Sequence, residues 1–183
     1  YREFLESFDL ARKTGFDNIN VDLMSGLPGQ KVQDWALTLK KVLALMPEHI
    51  SAYSLIVEEG TPFFEQYGED EQRRQQGEEP QALPTEETER EMYGRTLEML
   101  KSRGYFRYEI SNYALPQKEC RHNIGYWQQV PYLGLGLGSS SFMGNARFSN
   151  KRGLSDYMNE DFCRLPQILG NGQGCRMMPE RYT

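Results

Sequence analysis

Ile19-Asn20-Val21-Asp22-Leu23-Met24-Ser25-Gly26-Leu27-Pro28-Gly29-Gln30 is the stretch on which the fold turns. Ile19 to Met24 is rich in branched apolar residues and runs into a glycine turn, which predicts a β-strand. Its side chains alternate: Ile19, Val21 and Leu23 form an apolar face, and Asn20, Asp22 and Met24 face the other way. A strand inside a parallel sheet is ordinarily apolar on both faces, so a polar face predicts a ligand. The Gly26 to Gln30 loop has two readings. Glycine and proline satisfy the conformation of a strand-to-helix turn. Glycine also admits close approach by a nucleoside, while a carboxylate such as Asp22 accepts from ribose hydroxyls.

Outward from this stretch the elements alternate. Arg2 to Thr14 has the spacing of an amphipathic helix with Phe4, Leu5, Phe8 and Ala11 on one side, stopped at Gly15. Val32 to Met46 is predicted as a helix with Trp35, Leu39, Val42, Leu43 and Met46 on one stripe, ended by Pro47. Ile50 to Val57 is a second strand, and the order suits βα crossovers in a parallel sheet, whose ligands sit beyond the carboxyl ends of the strands. Those ends are Met24 to Gln30 and Leu55 to Thr61.

Glu58 to Pro84 is acidic, glutamine-rich and broken by proline, which predicts a mobile loop or lid. Thr85 then caps a helix bearing Met92, Tyr93, Thr96, Leu97 and Leu100 and ending at Gly104. Tyr105 to Ile110 reads as a strand, Ser111 to Glu119 as a loop, and Tyr132 to Phe142 as a strand with Gly134, Gly136 and Gly138 on a bare face where a backbone or planar ligand packs. These glycines do not match a dinucleotide fingerprint, because the third comes one residue early and no capped helix follows. Past Asn150 the hydrophobic pattern fades.

The chain has 183 residues and a formal charge of -5, with no basic stripe for nucleic acid. Its length is short for a complete barrel of ~250 residues. It has no run apolar enough for a membrane span and no secretory signal, so a soluble, cytoplasmic protein is expected. Three cysteines, Cys120, Cys163 and Cys175, are widely separated and read as reduced thiols. Cys120 with His122 is at most half a zinc site, needing two further ligands from far away, such as His49 or Cys163, to complete it.

His122 is one of two histidines and lies in Arg121-His122-Asn123-Ile124-Gly125-Tyr126-Trp127. In one reading this is a loop whose His122 and Asn123 satisfy buried carbonyls while Tyr126 and Trp127 fill the core. In the other, His122 is an axial ligand to heme iron, the aromatic rings stack on the porphyrin, and Arg121 or Arg147 pairs with its propionates.

Four ordered segments carry a family resemblance: Val21 to Gln30; His49-Ile50-Ser51-Ala52-Tyr53-Ser54-Leu55 with Gly60-Thr61-Pro62; Tyr108-Glu109-Ile110-Ser111-Asn112-Tyr113-Ala114; and His122 to Trp127. From Tyr1 to about Met158 the chain resembles the oxygen-independent coproporphyrinogen III oxidase-like radical S-adenosylmethionine (SAM) proteins. The His-Asn-x-x-Tyr-Trp element is similar to their heme chaperone (HemW-type) branch. The resemblance implies an α/β fold: the C-terminal half of a radical SAM-type (β/α) barrel over 1–104, with the acidic loop at 58–84, then a sheet extension over 105–159 and a flexible tail over 160–183. It implies that SAM contacts Asp22, that Gly26, Gly29 and Gln30 line its loop, and that Leu55 and Ile56 lie near adenine. His122, Asn123, Tyr126 and Trp127 are the matching heme-binding candidates, with His122 toward the iron.

Complete relatives hold a [4Fe-4S] cluster on a Cys-x-x-x-Cys-x-x-Cys motif and use it to cleave SAM to a radical. The motif does not occur here, so those ligands are expected upstream of Tyr1, no cluster is expected in this chain, and enzyme status stays open. The chain also departs from the family pattern at Ser139-Ser140 and beyond Asn159. The leading expectation is a fragment of a protein that binds heme and transfers it to a recipient protein. Two rivals are an oxidative decarboxylase of coproporphyrinogen III and a non-catalytic interaction fragment, whose exposed sheet edges would favour self-pairing.

Overall fold

The computed structural model describes residues 1–159. The 160–183 tail, with Cys163 and Cys175, lies outside the described residues. The chain divides into two compact units, one over 1–119 and one beginning at Cys120.

The first unit is built on α1 (Arg2–Lys13), β1 (Asn20–Ser25), α2 (Val32–Leu43), β2 (His49–Ser54), α3 (Pro62–Gln75), α4 (Glu86–Lys101), β3 (Phe106–Arg107) and β4 (Asn112–Ala114). The sheet order is β1-β2-β4-β3. β1 and β2 are parallel, with Val21 opposite Ile50 and Asp22 opposite Ser51. β4 runs antiparallel to β2, with Ser51 opposite Asn112, and β3 antiparallel to β4. Phe106–Arg107 and Asn112–Ala114 thus belong to this sheet.

The sheet has two unlike faces. Val21, Ile50 and Tyr113 pack with Phe8, Val42, Leu43, Leu100 and Tyr105 into one core. Trp35, Leu39 and Met92 form a second cluster that joins α2 to α4. The Trp35 indole N-H donates to Thr96 Oγ1 at 2.9 Å and Met92 O at 3.2 Å, so its polar edge is satisfied where it is buried. The opposite face carries Asn20, Asp22, His49, Ser51 and Asn112. The predicted alternation in β1 is therefore realised.

Several expectations need correction. Residues 58–84 are not one loop, because α3 occupies Pro62–Gln75. Thr61 caps it, accepting from Phe64 N at 3.2 Å, and Pro62 presets its first turn. Met46 leaves the α2 stripe, since α2 ends at Leu43 and Met46 is exposed with φ 53°. Tyr93 is likewise off the buried stripe of α4. The predicted strand at Tyr105 to Ile110 shrinks to Phe106–Arg107, and β4 falls inside the segment read as a loop.

The second unit contains α5 (Arg121–Trp127), β5 (Ser140–Met143), β6 (Ala146–Ser149) and α6 (Leu154–Met158), with β5 and β6 a hairpin. Tyr132 to Phe142 is not a continuous strand. Tyr132 bridges Phe142, and between them Gly136 (φ 96°) and Gly138 (φ 63°) bend the chain into the left-handed region. The close packing predicted there is internal: a side chain at Gly134 would collide with the Ser140 carbonyl.

Candidate functional site

At the carboxyl end of β1 the glycine loop is shaped by its own chemistry. Pro28 and Gly29 occupy the centre of a type II turn, closed by Gln30 N-H donating to Leu27 O at 2.9 Å, with Gly29 at φ 72°. Gly29 N-H donates to Ala82 O at 2.7 Å, and the Gln30 side-chain oxygen accepts from Leu27 N-H at 3.3 Å. Three N-H groups of the loop, those of Leu27, Gly29 and Gln30, are thus engaged within the protein. Gly26, at φ 78°, lies against β2: a Cβ there would sit 2.9 Å from Glu89 Oε1 and 3.6 Å from Leu55 N.

The loop is braced from outside. The buried carboxylate of Asp70, on α3, accepts from the backbone N-H groups of Gln81 (2.8 Å), Ala82 (2.6 Å) and Leu83 (3.0 Å), and Ala82 in turn holds Gly29. These bonds, the one from Gln81 foremost, hold the Asp70 carboxyl below its ordinary pKa despite burial. Arg74, also on α3, pairs with Glu71 and Glu89. Burial opposes the Arg74 charge, and the two carboxylates outweigh it.

Leu55 is half-buried and its N-H donates to Ser25 O at 2.9 Å, so Gly26 and Leu55 come together at adjacent strand ends. Ile56 is exposed. Asp22 is exposed on the polar face, which also holds residues whose connections sequence reasoning missed. His49, 5% exposed, bonds through Nδ1 to Asn20 Oδ1 at 2.6 Å and through Nε2 to the Tyr108 hydroxyl at 2.7 Å. Ser51 Oγ donates to Asn20 Oδ1 at 3.2 Å, and Asn20 Nδ2 donates to Asp22 Oδ1 at 2.7 Å. Burial lowers the His49 pKa, against the pull of Asp22, Glu109 and Glu119. Asn112, opposite Ser51, is 5% exposed and its Oδ1 is a buried acceptor with no donor. The exposed rings and thioether of Tyr53, Phe106 and Met24 offer apolar surface alongside.

In the second unit the expected loop at His122 to Trp127 is helical, with none of its residues buried. His122 and Tyr126 share a helix face, their rings edge to face at 4.5 Å, and Tyr126 continues to Tyr132 at 4.6 Å. Asn123 is half-buried, and Trp127 is 60% exposed rather than core. The imidazole is at the surface. Among the described residues no three His, Cys, Asp or Glu side chains gather as a metal site, and His49, a possible partner for a zinc site, is committed to Asn20 and Tyr108.

A parallel βαβ unit with a polar inner face and a glycine loop beyond its first strand defines a mixed α/β fold built on a (β/α) repeat. The structure of coproporphyrinogen III oxidase (HemN) from Escherichia coli, titled a radical SAM enzyme, superposes with a TM-score of 0.62 at 21% identity, over 91% of this chain and 38% of that one. The heme chaperone HemW of Synechocystis sp. is 36% identical over 100% of this chain and 40% of its own length. That of Bacillus subtilis is 37% identical over 86% of this chain and 39% of its own. No family model matches the sequence. The chain belongs to the oxygen-independent coproporphyrinogen III oxidase-like radical SAM family, in its HemW-type branch, and spans about 40% of the length of these relatives.

Proposed function

We propose that this chain is the cofactor-facing second half of a cytoplasmic heme chaperone, holding SAM on its sheet and heme at α5 for transfer to a recipient protein. The observation that carries the heme reading is the exposed His122 imidazole, set edge to face against Tyr126 on a helix whose Trp127 is also open to solvent. A neutral imidazole is a common axial ligand, and exposed rings offer a surface to a porphyrin plane. The names of the relatives support this reading.

For SAM, the donor set fits. Asp22 presents carboxylate oxygens, Asn112 holds an unpartnered acceptor in the same row of the sheet, and Met24 and Tyr53 supply apolar surface. When bound, SAM supplies an adenosyl group for radical chemistry at a cluster. The residues here orient it: Asp22 takes hydroxyl donors, while Gly26, Gly29, Gln30, Leu55 and Ile56 shape the rim at the strand ends. Among the described residues no helix is long and apolar enough to cross a membrane.

Hemin titration followed by visible absorption tests the reading. A histidine-type spectrum is expected, at one equivalent, and His122→Ala abolishes it. A spectrum unchanged in that variant removes the assignment.

A further inference from the structure

The polar face of the sheet is a directed chain of hydrogen bonds, and its direction follows from Asp22. A carboxylate oxygen accepts, so the Asn20 amide nitrogen must face Asp22, as it does at 2.7 Å. The Asn20 Oδ1 is then turned toward His49 Nδ1, 2.6 Å away, and toward the Ser51 hydroxyl, 3.2 Å away. An amide oxygen only accepts, which requires the proton of a neutral His49 to sit on Nδ1. His49 Nε2 is left as an acceptor, 2.7 Å from the hydroxyl of Tyr108, which donates to it. One amide orientation and one tautomer satisfy every link.

We propose that Asn20 and His49 are positioning residues: the series Tyr108, His49, Asn20, Asp22 fixes the Asp22 carboxylate in the orientation that accepts the ribose hydroxyls of SAM. This rests on the reading of Asp22 as a cofactor contact. The anchor is firm where the end is open. His49 is buried between β1, β4 and the Tyr108 segment, whereas Asn20 and Asp22 are exposed at the face a ligand would meet. Without the Asn20 donor, an exposed carboxylate is free to rotate, and the ligand must order it on binding.

The two histidines allow a direct test in the full chain. With the His122→Ala variant leaving one imidazole, the side-chain ¹⁵N spectrum is expected to show His49 as the Nδ1-H tautomer; an Nε2-H tautomer overturns the series. SAM affinity, by equilibrium dialysis, supplies the second readout. Asn20→Leu is expected to weaken binding by about tenfold, as for loss of a hydrogen bond to a charged group. His49→Asn and His49→Gln separate positioning from packing. The Asn amide replaces the Nδ1-H donor and retains affinity, whereas the Gln amide reaches only toward Tyr108 and loses affinity as Asn20→Leu does. Equal affinities in the two variants, with Asp22→Asn weaker, overturn the positioning role alone. No measurable binding, or binding indifferent to Asp22→Asn, overturns the cofactor reading and the positioning role with it.

Discussion

The polar sheet face and the α5 helix solve opposite problems. On the sheet every named polar group but Asn112 Oδ1 is tied to a neighbour, ending in a single exposed carboxylate. On α5 the imidazole, phenol and indole stand at the surface, and no residue of the helix is buried. The first is a site whose geometry is fixed before a ligand arrives. The second leaves its chemistry accessible, as the proposed transfer of heme requires. Substitutions therefore have consequences for stability as well as for SAM binding in the first region, and for heme binding alone in the second.

The largest contrast is between the two tryptophans. Trp35, 1% exposed, fills the α2–α4 junction, and Trp35→Ala is expected to cost about 3–5 kcal/mol in chemical denaturation. Trp127→Ala is expected to stay within about 0.5 kcal/mol, since it removes an exposed ring. A comparable loss from Trp127→Ala would show that α5 is packed rather than presented.

A smaller effect tests the glycine loop. Gly26→Ala forces a side chain into φ 78° and pushes on Glu89, the partner of Arg74. A loss of about 1–3 kcal/mol is expected. Gly29→Ala meets nothing within 4 Å, so only its conformational cost of about 1–2 kcal/mol remains. Equal losses would mean that the Glu89 contact is immaterial.

Much of this was legible in the sequence. The alternation of Asn20, Asp22 and Met24 against Ile19, Val21 and Leu23 announced a polar face, and the Thr85 cap announced α4. The bonding of His49 was not legible from one strand. It follows from parallel register, which sets Asn20 beside His49 and Asp22 beside Ser51; superimposing the two alternating patterns would have found it. α3 was missed because glutamine and acidic composition outweighed the Thr61-Pro62 start signal. β4 was missed because three residues of strand are held by register with β2 rather than by local propensity.

A third effect depends on pH. His49 is held below its ordinary pKa of 6.5 by burial, so the unfolded chain takes up this proton at higher pH than the folded one. Its contribution is fully present above 6.5 and declines as pH falls through the lower folded value. Urea midpoints are expected to drop as pH falls below about 6.5, and His49→Asn to flatten that slope. Asp70 acts further down. Its contribution is present above its ordinary 3.8 and is lost as pH falls through the depressed folded value, so Asp70→Asn removes the steepening seen only in strong acid. A slope below pH 6.5 unchanged by His49→Asn would assign it elsewhere.

The most direct measurement is hemin titration of three proteins side by side: wild type, His122→Ala and His49→Gln. If α5 presents the ligand and the sheet histidine is structural, His49→Gln keeps the histidine-type absorption of the wild type and His122→Ala loses it. Loss with His49→Gln alone, or retention in both variants, would contradict the division of labour between the two regions.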